Sequence, residues 1–479
     1  MKKTKLLLEN FFIYGIGSVI GKLIPLIMLP IITRLLPDLS YFGISDNTAS
    51  LVSIASYIAI MGMYDAMNRL FFDDDSMEYR KRVCSTTLTY TTACSLIVFL
   101  LMFLFRKGLS LLFYKDTSLS YVVLIAGLST LVGATNTIVA GPARMQNKRL
   151  IYIVMNSIGP IISYAIAIVL IIRGEYIISL PLSMLMSSFF IEVAFWIYNR
   201  AWFKFEYIDI KLLKPLLLFA IPLIPNFLIY WLFNSCDRLM ITQILGVEAA
   251  GLYGIGSKLG HASQLIYTAF AAGWQYFAYS TMKDKNQIRD NSKIFEWLCV
   301  VSITCTILLC AVSYLIYKIM FPAEYVGGYI IAPYLFLAPL CQMMFQVAIS
   351  QFAIIKKTWP NMIFLSCGAV VNVLLNLILI PLFGIEGAAI ATICGYIITV
   401  ISCVVTLCKL KLFEINRKLI VSVYIFCVSF IVWRMFAHKS VLIGGLISAS
   451  YLLFVVVVYY RELKSIIDKI KGKDKTLLD

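Results

Sequence analysis

Charge is scarce in this sequence. Only 14% of its 479 residues are Asp, Glu, Lys or Arg, while 61% are hydrophobic, and its mean hydropathy is positive. Soluble multidomain chains of this length do not show that balance, so the composition points to a polytopic membrane protein. Histidine is scarcer still, with two in the whole chain. Without histidine clusters or CxxC spacing, neither a metal site nor a cofactor is expected, and the twelve cysteines, among them Cys299, Cys305, Cys310, Cys394 and Cys403, read as packing residues. There is no Ser/His/Asp arrangement and no pair of catalytic carboxylates, and the outer loops are shorter than a membrane enzyme would need, so an enzyme is not expected. Alternating strands of about ten residues are missing, which excludes a β-barrel. Loops longer than about 20 residues are missing too, so no soluble domain can fold between the apolar runs.

What is present is a series of apolar runs of about 20 residues, enough to cross about 30 Å of hydrocarbon as helix. Fourteen are expected, at residues 9–33, 43–66, 83–105, 118–140, 150–172, 176–199, 213–236, 252–276, 294–317, 328–353, 360–382, 386–408, 416–436 and 440–460. The basic front "MKKTK" resembles a signal peptide, but the apolar run continues to Pro30 with no small-residue cleavage pattern, so it reads as the first span. With the N-terminus inside, thirty of the 41 Lys and Arg fall in inner loops and tails against nine in outer loops. Positive charge stays cytoplasmic, so both ends are expected inside. The net charge of +16 then reflects topology and anionic lipid rather than nucleic acid.

An internal repeat organises the spans. "ITRLLPDLSYFGIS" near residue 33 answers "ITQILGVEAAGLYGIGS" near 241, "MQNKRLIYIVMN" at 145–156 answers "IIKKTWPNMIFL" at 354–365, and "IIRGEYI" at 171–177 answers "PLFGIEGA" at 381–388. Because six is even, two six-helix units enter from the same side and are parallel repeats. The expected architecture is all-α: residues 1–206 and 207–412 as six-helix lobes, and 413–479 as two extra helices with a basic tail.

Two glycine-lysine runs, "YGIGSVIGK" at 14–22 and "YGIGSKLG" at 253–260, look like phosphate loops and fail as such. Gly15 and Gly21 enclose five residues rather than four, and Lys22 is followed by Leu23. The glycines read as small faces for close helix packing.

Polar stripes then mark the repeat-related spans one, two, seven and eight. The first has Asn10, Tyr14, Gly17, Gly21 and Pro25 with Lys22 at its border; the second has Asp46, Ser50, Ser53 and Tyr57. The seventh has Asn226, Tyr230, Asn234 and Asp237 beside Arg238, and the eighth has Lys258, His261, Gln264 and Thr268. A charge at mid-membrane costs about 2.5–3.5 kcal/mol on insertion scales, so such residues turn to protein or to a wet cavity. One central cavity is expected, lined by Lys22, Arg34, Asp46, Asn234, Asp237, Arg238, Lys258, His261 and Gln264. The plain alternatives are snorkelling for Lys22, interfacial anchoring for Arg34 and Arg238, and a local pair for Asp46. Asn372 and Asn376, four residues apart, read as interhelical hydrogen-bonding residues, and Glu192 and Glu296 as lateral pairs.

The stretch "FAIPLIPNFLIYWLFNSCDRLMITQILGVEAAGLYGIGSKLG" at 219–260, with "NLILIPLFGIEGAAIAT" at 376–392, resembles the polysaccharide-transporter family. These are Wzx-type oligosaccharidyl-lipid flippases of the multidrug/oligosaccharidyl-lipid/polysaccharide (MOP) exporter superfamily. The resemblance implies two lobes in a V around a cavity that opens alternately to either side. It implies translocation of undecaprenyl-diphosphate-linked oligosaccharide across the bacterial inner membrane for O-antigen, capsule or another surface polymer, alongside other polysaccharide-assembly proteins. In related lipid-linked peptidoglycan-precursor flippases, basic residues on the first and eighth helices and an acid on the second line that cavity. Lys22, Lys258 and Asp46 occupy comparable spans, with lysines where arginines often stand, so the grip on phosphate is that of point charges. Asp46, Asp237 or His261 could couple a proton or sodium gradient to the motion, and the sequence carries no selective ion-site signature that chooses between the ions. The rival readings are a drug or cation antiporter of the same superfamily and a membrane polysaccharide polymerase.

Overall fold

The computed structural model describes residues 21, 23–146, 148–357 and 359–470. Among these, regular structure is entirely helical. The elements are α1 (Leu23–Leu35), α2 (Leu39–Ile60), α3 (Met63–Leu70), α4 (Met77–Leu104), α5 (Arg106–Tyr114), α6 (Ser120–Val139), α7 (Gly141–Met145), α8 (Arg149–Ile172), α9 (Tyr176–Asn199) and α10 (Leu213–Ala220). They continue with α11 (Ile224–Leu245), α12 (Val247–Gly260), α13 (Gln264–Ser280), α14 (Gln287–Met320), α15 (Ala332–Ile354), α16 (Trp359–Phe383), α17 (Ile385–Lys409), α18 (Arg417–Val432), α19 (Val441–Val458) and α20 (Tyr460–Ile470).

Among the described residues eleven helical stretches are long and apolar enough to cross a membrane, or twelve if α2 and α3, bent by 45° at their junction, form one span. The chain is a multi-pass membrane protein. The difference from fourteen has two sources. The first expected span lies mostly outside the described residues, and the eighth is interrupted: α12 stops at Gly260, a 3₁₀ turn takes up His261–Ser263, and α13 begins at Gln264. The bend in the second span sits at Met61 and Gly62, both with positive φ, where the left-handed backbone ends one helix before the next begins.

Helix starts obey local chemistry. The Asp38 side chain accepts from the Ser40 N–H at 2.7 Å to cap α2, and Ser76 caps α4. Side chains such as Leu100, Leu101, Ile197 and Leu218 remain exposed, as helices facing acyl chains require, because lipid gives no reason to hide them.

The chain divides into two compact units, Met1–Lys258 with Leu365–Gly395, and Leu259–Phe364 with Tyr396–Asp479. In the first, Met63, Met67, Val83, Phe195 and Leu216 form one apolar cluster, and Ala59, Val122, Val123 and Ala134 belong to another. In the second, α14 packs against α15, α18 and α19, with Ser448 Oγ donating to the Ile307 carbonyl at 2.7 Å. There the Tyr459 hydroxyl donates to Glu296 Oε1 at 2.9 Å, a lateral pair of the kind expected for that glutamate.

Candidate functional site

Three of the sequence-predicted charges of the first unit meet where α2, α11 and α12 touch. Glycine sets the spacing. A Cβ at Gly43 would stand 2.1 Å from the Val247 carbonyl oxygen, and one at Gly251 would stand 2.3 Å from that of Leu39. No side chain larger than hydrogen fits between these backbones. Two hydrogen bonds tie α11 to α2 beside this contact: Trp231 Nε1 donates to the Ser50 carbonyl at 3.1 Å, and Asn47 Nδ2 to Thr242 Oγ1 at 2.6 Å.

Asp46 is thereby enclosed, at 5% exposure. Arg238 donates to it through Nε and also donates to the Asn234 carbonyl and to Ser257 Oγ, the last at 3.1 Å. The guanidinium carbon lies 5.9 Å from the Tyr253 ring centroid. Lys258 Nζ stands 3.6 Å from Asp46 Oδ1, with its side chain 48% exposed against 12% for Arg238. One carboxylate therefore serves two cations, and the cluster keeps a net positive charge whose accessible end is the lysine.

Asp237 turns the other way, because successive helical residues point about 100° apart. It is 2% exposed and accepts from the Tyr253 hydroxyl at 2.8 Å, Asn376 Nδ2 at 2.8 Å and Thr392 Oγ1 at 2.6 Å. Asn376 also donates to Asn372 Oδ1 at 3.3 Å, and Asn372 Nδ2 donates to Thr392 Oγ1 at 3.2 Å. The two asparagines join helices as their spacing suggested, and a buried carboxylate is what they join. Asn376 Oδ1 is buried and has no hydrogen-bond partner among the described residues.

The other expected residues are more scattered. Lys22 lies outside the described residues. Arg34 is exposed near the end of α1 and donates to the Pro30 carbonyl at 3.5 Å. Asn234 is exposed, its amide donating to the Tyr230 carbonyl at 2.7 Å. His261 and Gln264 belong to the second unit, both half-buried, the first in the turn that interrupts the span and the second at the start of α13. Within the first unit the structure thus gathers Asp46, Arg238 and Lys258, sets Asn234 beside them, and gives Asp237 a separate polar nest. Sequence reading missed Tyr253, Ser257 and Thr392 as partners. Tyr253 and Ser257 were visible as members of the YGIGS run, whereas nothing distinguishes Thr392 from any other threonine in an apolar span. Among the described residues no three of His, Cys, Asp and Glu gather in a group that could hold a metal ion.

A family model described as "polysaccharide biosynthesis protein" matches residues 7–274, more than half of the chain. No curated protein sequence matches. Among solved structures, a lipid II flippase, MurJ, in an inward closed conformation is similar over 94% of this chain and 99% of its own, with TM-score 0.69 and 17% identity. An inward-facing multidrug resistance MATE family transporter of the MOP superfamily matches over 82% of this chain and 98% of its own, with TM-score 0.62 and 12% identity. A MATE transporter from Vibrio cholerae matches over 85% and 98%, with TM-score 0.58 and 13% identity. The fold is that of membrane transporters and flippases, not of enzymes.

Proposed function

The chain belongs to the polysaccharide biosynthesis protein family, and from that premise we propose that it is a flippase for undecaprenyl-diphosphate-linked oligosaccharide, moving repeat units to the outer leaflet of the cell membrane for O-antigen, capsule or a related surface polymer. The observation that carries this reading is the net positive cluster of Asp46, Arg238 and Lys258 where α2, α11 and α12 meet. A diphosphate and its glycan cannot cross hydrocarbon unaided, and a cation that is exposed yet only partly neutralised offers the diphosphate a foothold. Asp46 makes that foothold moderate, since substrate must displace its pull on Lys258, and moderate binding permits release. The two expected six-helix lobes, 1–206 and 207–412, would rock about the site with both termini cytoplasmic, while 413–479 lies outside the repeat.

A cation antiporter is less well supported. Both carboxylates of the site are buried and already hold donors, so neither is offered to a cationic drug. Asp237 instead suits energy coupling: its carboxylate, the unpartnered Asn376 Oδ1 and the Thr392 hydroxyl are oxygens of the kind that take a proton or a sodium ion. This assigns the coupling ion to Asp237 rather than to Asp46 or His261.

The test is export of the glycan by a Lys22→Gln/Lys258→Gln protein. Loss of surface polymer, with accumulation of lipid-linked glycan on the cytoplasmic leaflet and ordinary amounts of folded protein in the membrane, is expected. Normal export by that variant would overturn the assignment.

A further inference from the structure

A second site stands apart from the charged cluster, in the first unit. A pocket of about 460 Å³ opens between the start of α2, the start of α6 and the turn joining α8 to α9, lined by Tyr41, Tyr121, Tyr176, Glu175, Gly174 and Ile125 among others. Its size falls in the range of small-molecule sites. The turn is built to present it. Gly174 takes φ of +84°, its N–H reaches the Ile171 carbonyl at 2.9 Å, and the Glu175 N–H reaches that of Leu170 at 3.0 Å, so the chain reverses tightly and delivers Glu175 and Tyr176 to the rim. A Cβ on Gly174 would meet nothing within 4 Å, which shows how open that side is.

From this lining we infer a binding site for an uncharged pyranose sugar. The Tyr41 and Tyr176 rings touch, with centroids 5.4 Å apart and planes inclined by 39°, and together form one aromatic wall. Tyr121, 41% exposed, supplies a further ring from α6. Ring faces carry negative potential and attract the positively polarised C–H groups on the flat side of a pyranose. Among the described residues the three phenol hydroxyls and the exposed Glu175 carboxylate have no hydrogen-bond or salt-bridge partner, so all can take sugar hydroxyls. No lysine or arginine lines the pocket, and Glu175 would repel uronic acid or phosphate. A small ammonium head is the other ligand that tyrosines and a carboxylate attract, but two rings packed into a wall do not encircle a point charge, and the space is several times what such a head fills.

The role, as distinct from the chemistry, rests on the flippase reading. On the proposed orientation the turn at 173–176 faces away from the cytoplasm, so the pocket would hold the leading sugars of a glycan that has crossed and bias it against return.

The test uses the full-length protein in lipid nanodiscs and saturation-transfer NMR with methyl glucoside, methyl galactoside, methyl N-acetylglucosaminide, methyl glucuronide and choline as probes. Transfer to the ring protons of at least one uncharged glycoside is expected. It should fall fivefold or more in Tyr41→Ala/Tyr176→Ala and in Tyr121→Ala, each checked for unchanged thermal stability, and persist in Lys258→Gln. Absence of transfer to all three uncharged glycosides, equal transfer in the variants, or transfer to glucuronide or choline alone would overturn the proposal. Binding that persists in a protein shown not to flip lipid-linked glycan would leave the sugar site standing and remove only its role in translocation.

Discussion

Replacing Asp46 with Asn removes the charge that Arg238 faces while leaving the guanidinium almost as enclosed as before, at 12% side-chain exposure. Breaking a buried ion pair from one side costs about 3–5 kcal/mol. The lower end applies here, because Arg238 keeps the Asn234 carbonyl and Ser257 Oγ as acceptors and the new amide still accepts. Lys258 adds under about 1 kcal/mol, since its side chain is 48% exposed and screened by solvent. Arg238→Gln should cost a similar ~3 kcal/mol by leaving buried Asp46 with only the half-exposed Lys258 opposite it, whereas Asp46→Asn/Arg238→Gln removes both charges. The double variant should then lose about 3–4 kcal/mol in all, a coupling of about 2–3 kcal/mol. SDS unfolding in mixed micelles, followed by tryptophan fluorescence, measures the cycle, and Trp231, hydrogen-bonded to the Ser50 carbonyl, reports from the joint itself. A double variant whose loss equals the sum of the singles to within about 0.5 kcal/mol would refute the pairing.

Gly43→Ala places a methyl 2.1 Å from a backbone oxygen that cannot swing aside, so α2 and α12 must separate. A loss of about 1–3 kcal/mol is expected, against no loss for Gly133→Ala, where a Cβ meets nothing within 4 Å; thermal-shift curves of the two proteins decide it. Asp237→Asn should leave the Asp46, Arg238 and Lys258 contacts in place but abolish the response of glycan export to an imposed proton or sodium gradient in proteoliposomes. An unchanged response would move coupling elsewhere.

The spans were legible because hydrocarbon imposes one requirement on every crossing segment, and twelve of the fourteen expected runs coincide with helices or a bent pair. Asp46, Lys258 and Arg238 were legible for the complementary reason, being too costly in lipid to stand without a purpose. The partition between Asp237 and Arg238 was hidden. The two are adjacent in sequence, but helical geometry sends neighbours to different faces, and only the packing of α2 and α16 decides which face receives which partner. Thr392 carried no signal because a hydroxyl in an apolar helix ordinarily bonds its own backbone. Three glycines within Tyr253–Gly260 announced close packing, but not the break at His261 that comes next.

The nest around Asp237 has a consequence for how the chain is made. Its carboxylate leaves the ribosome long before two of the groups that will bind it, Asn376 and Thr392, which emerge 139 and 155 residues later. At about 5–20 residues per second that is a wait of roughly 7–30 s, during which, of these partners, an acid bound for the bilayer has Tyr253 alone. The insertion machinery must hold this segment somewhere hydrated until the eleventh and twelfth spans emerge, and a chain cut short before them would be expected to stall there and be degraded.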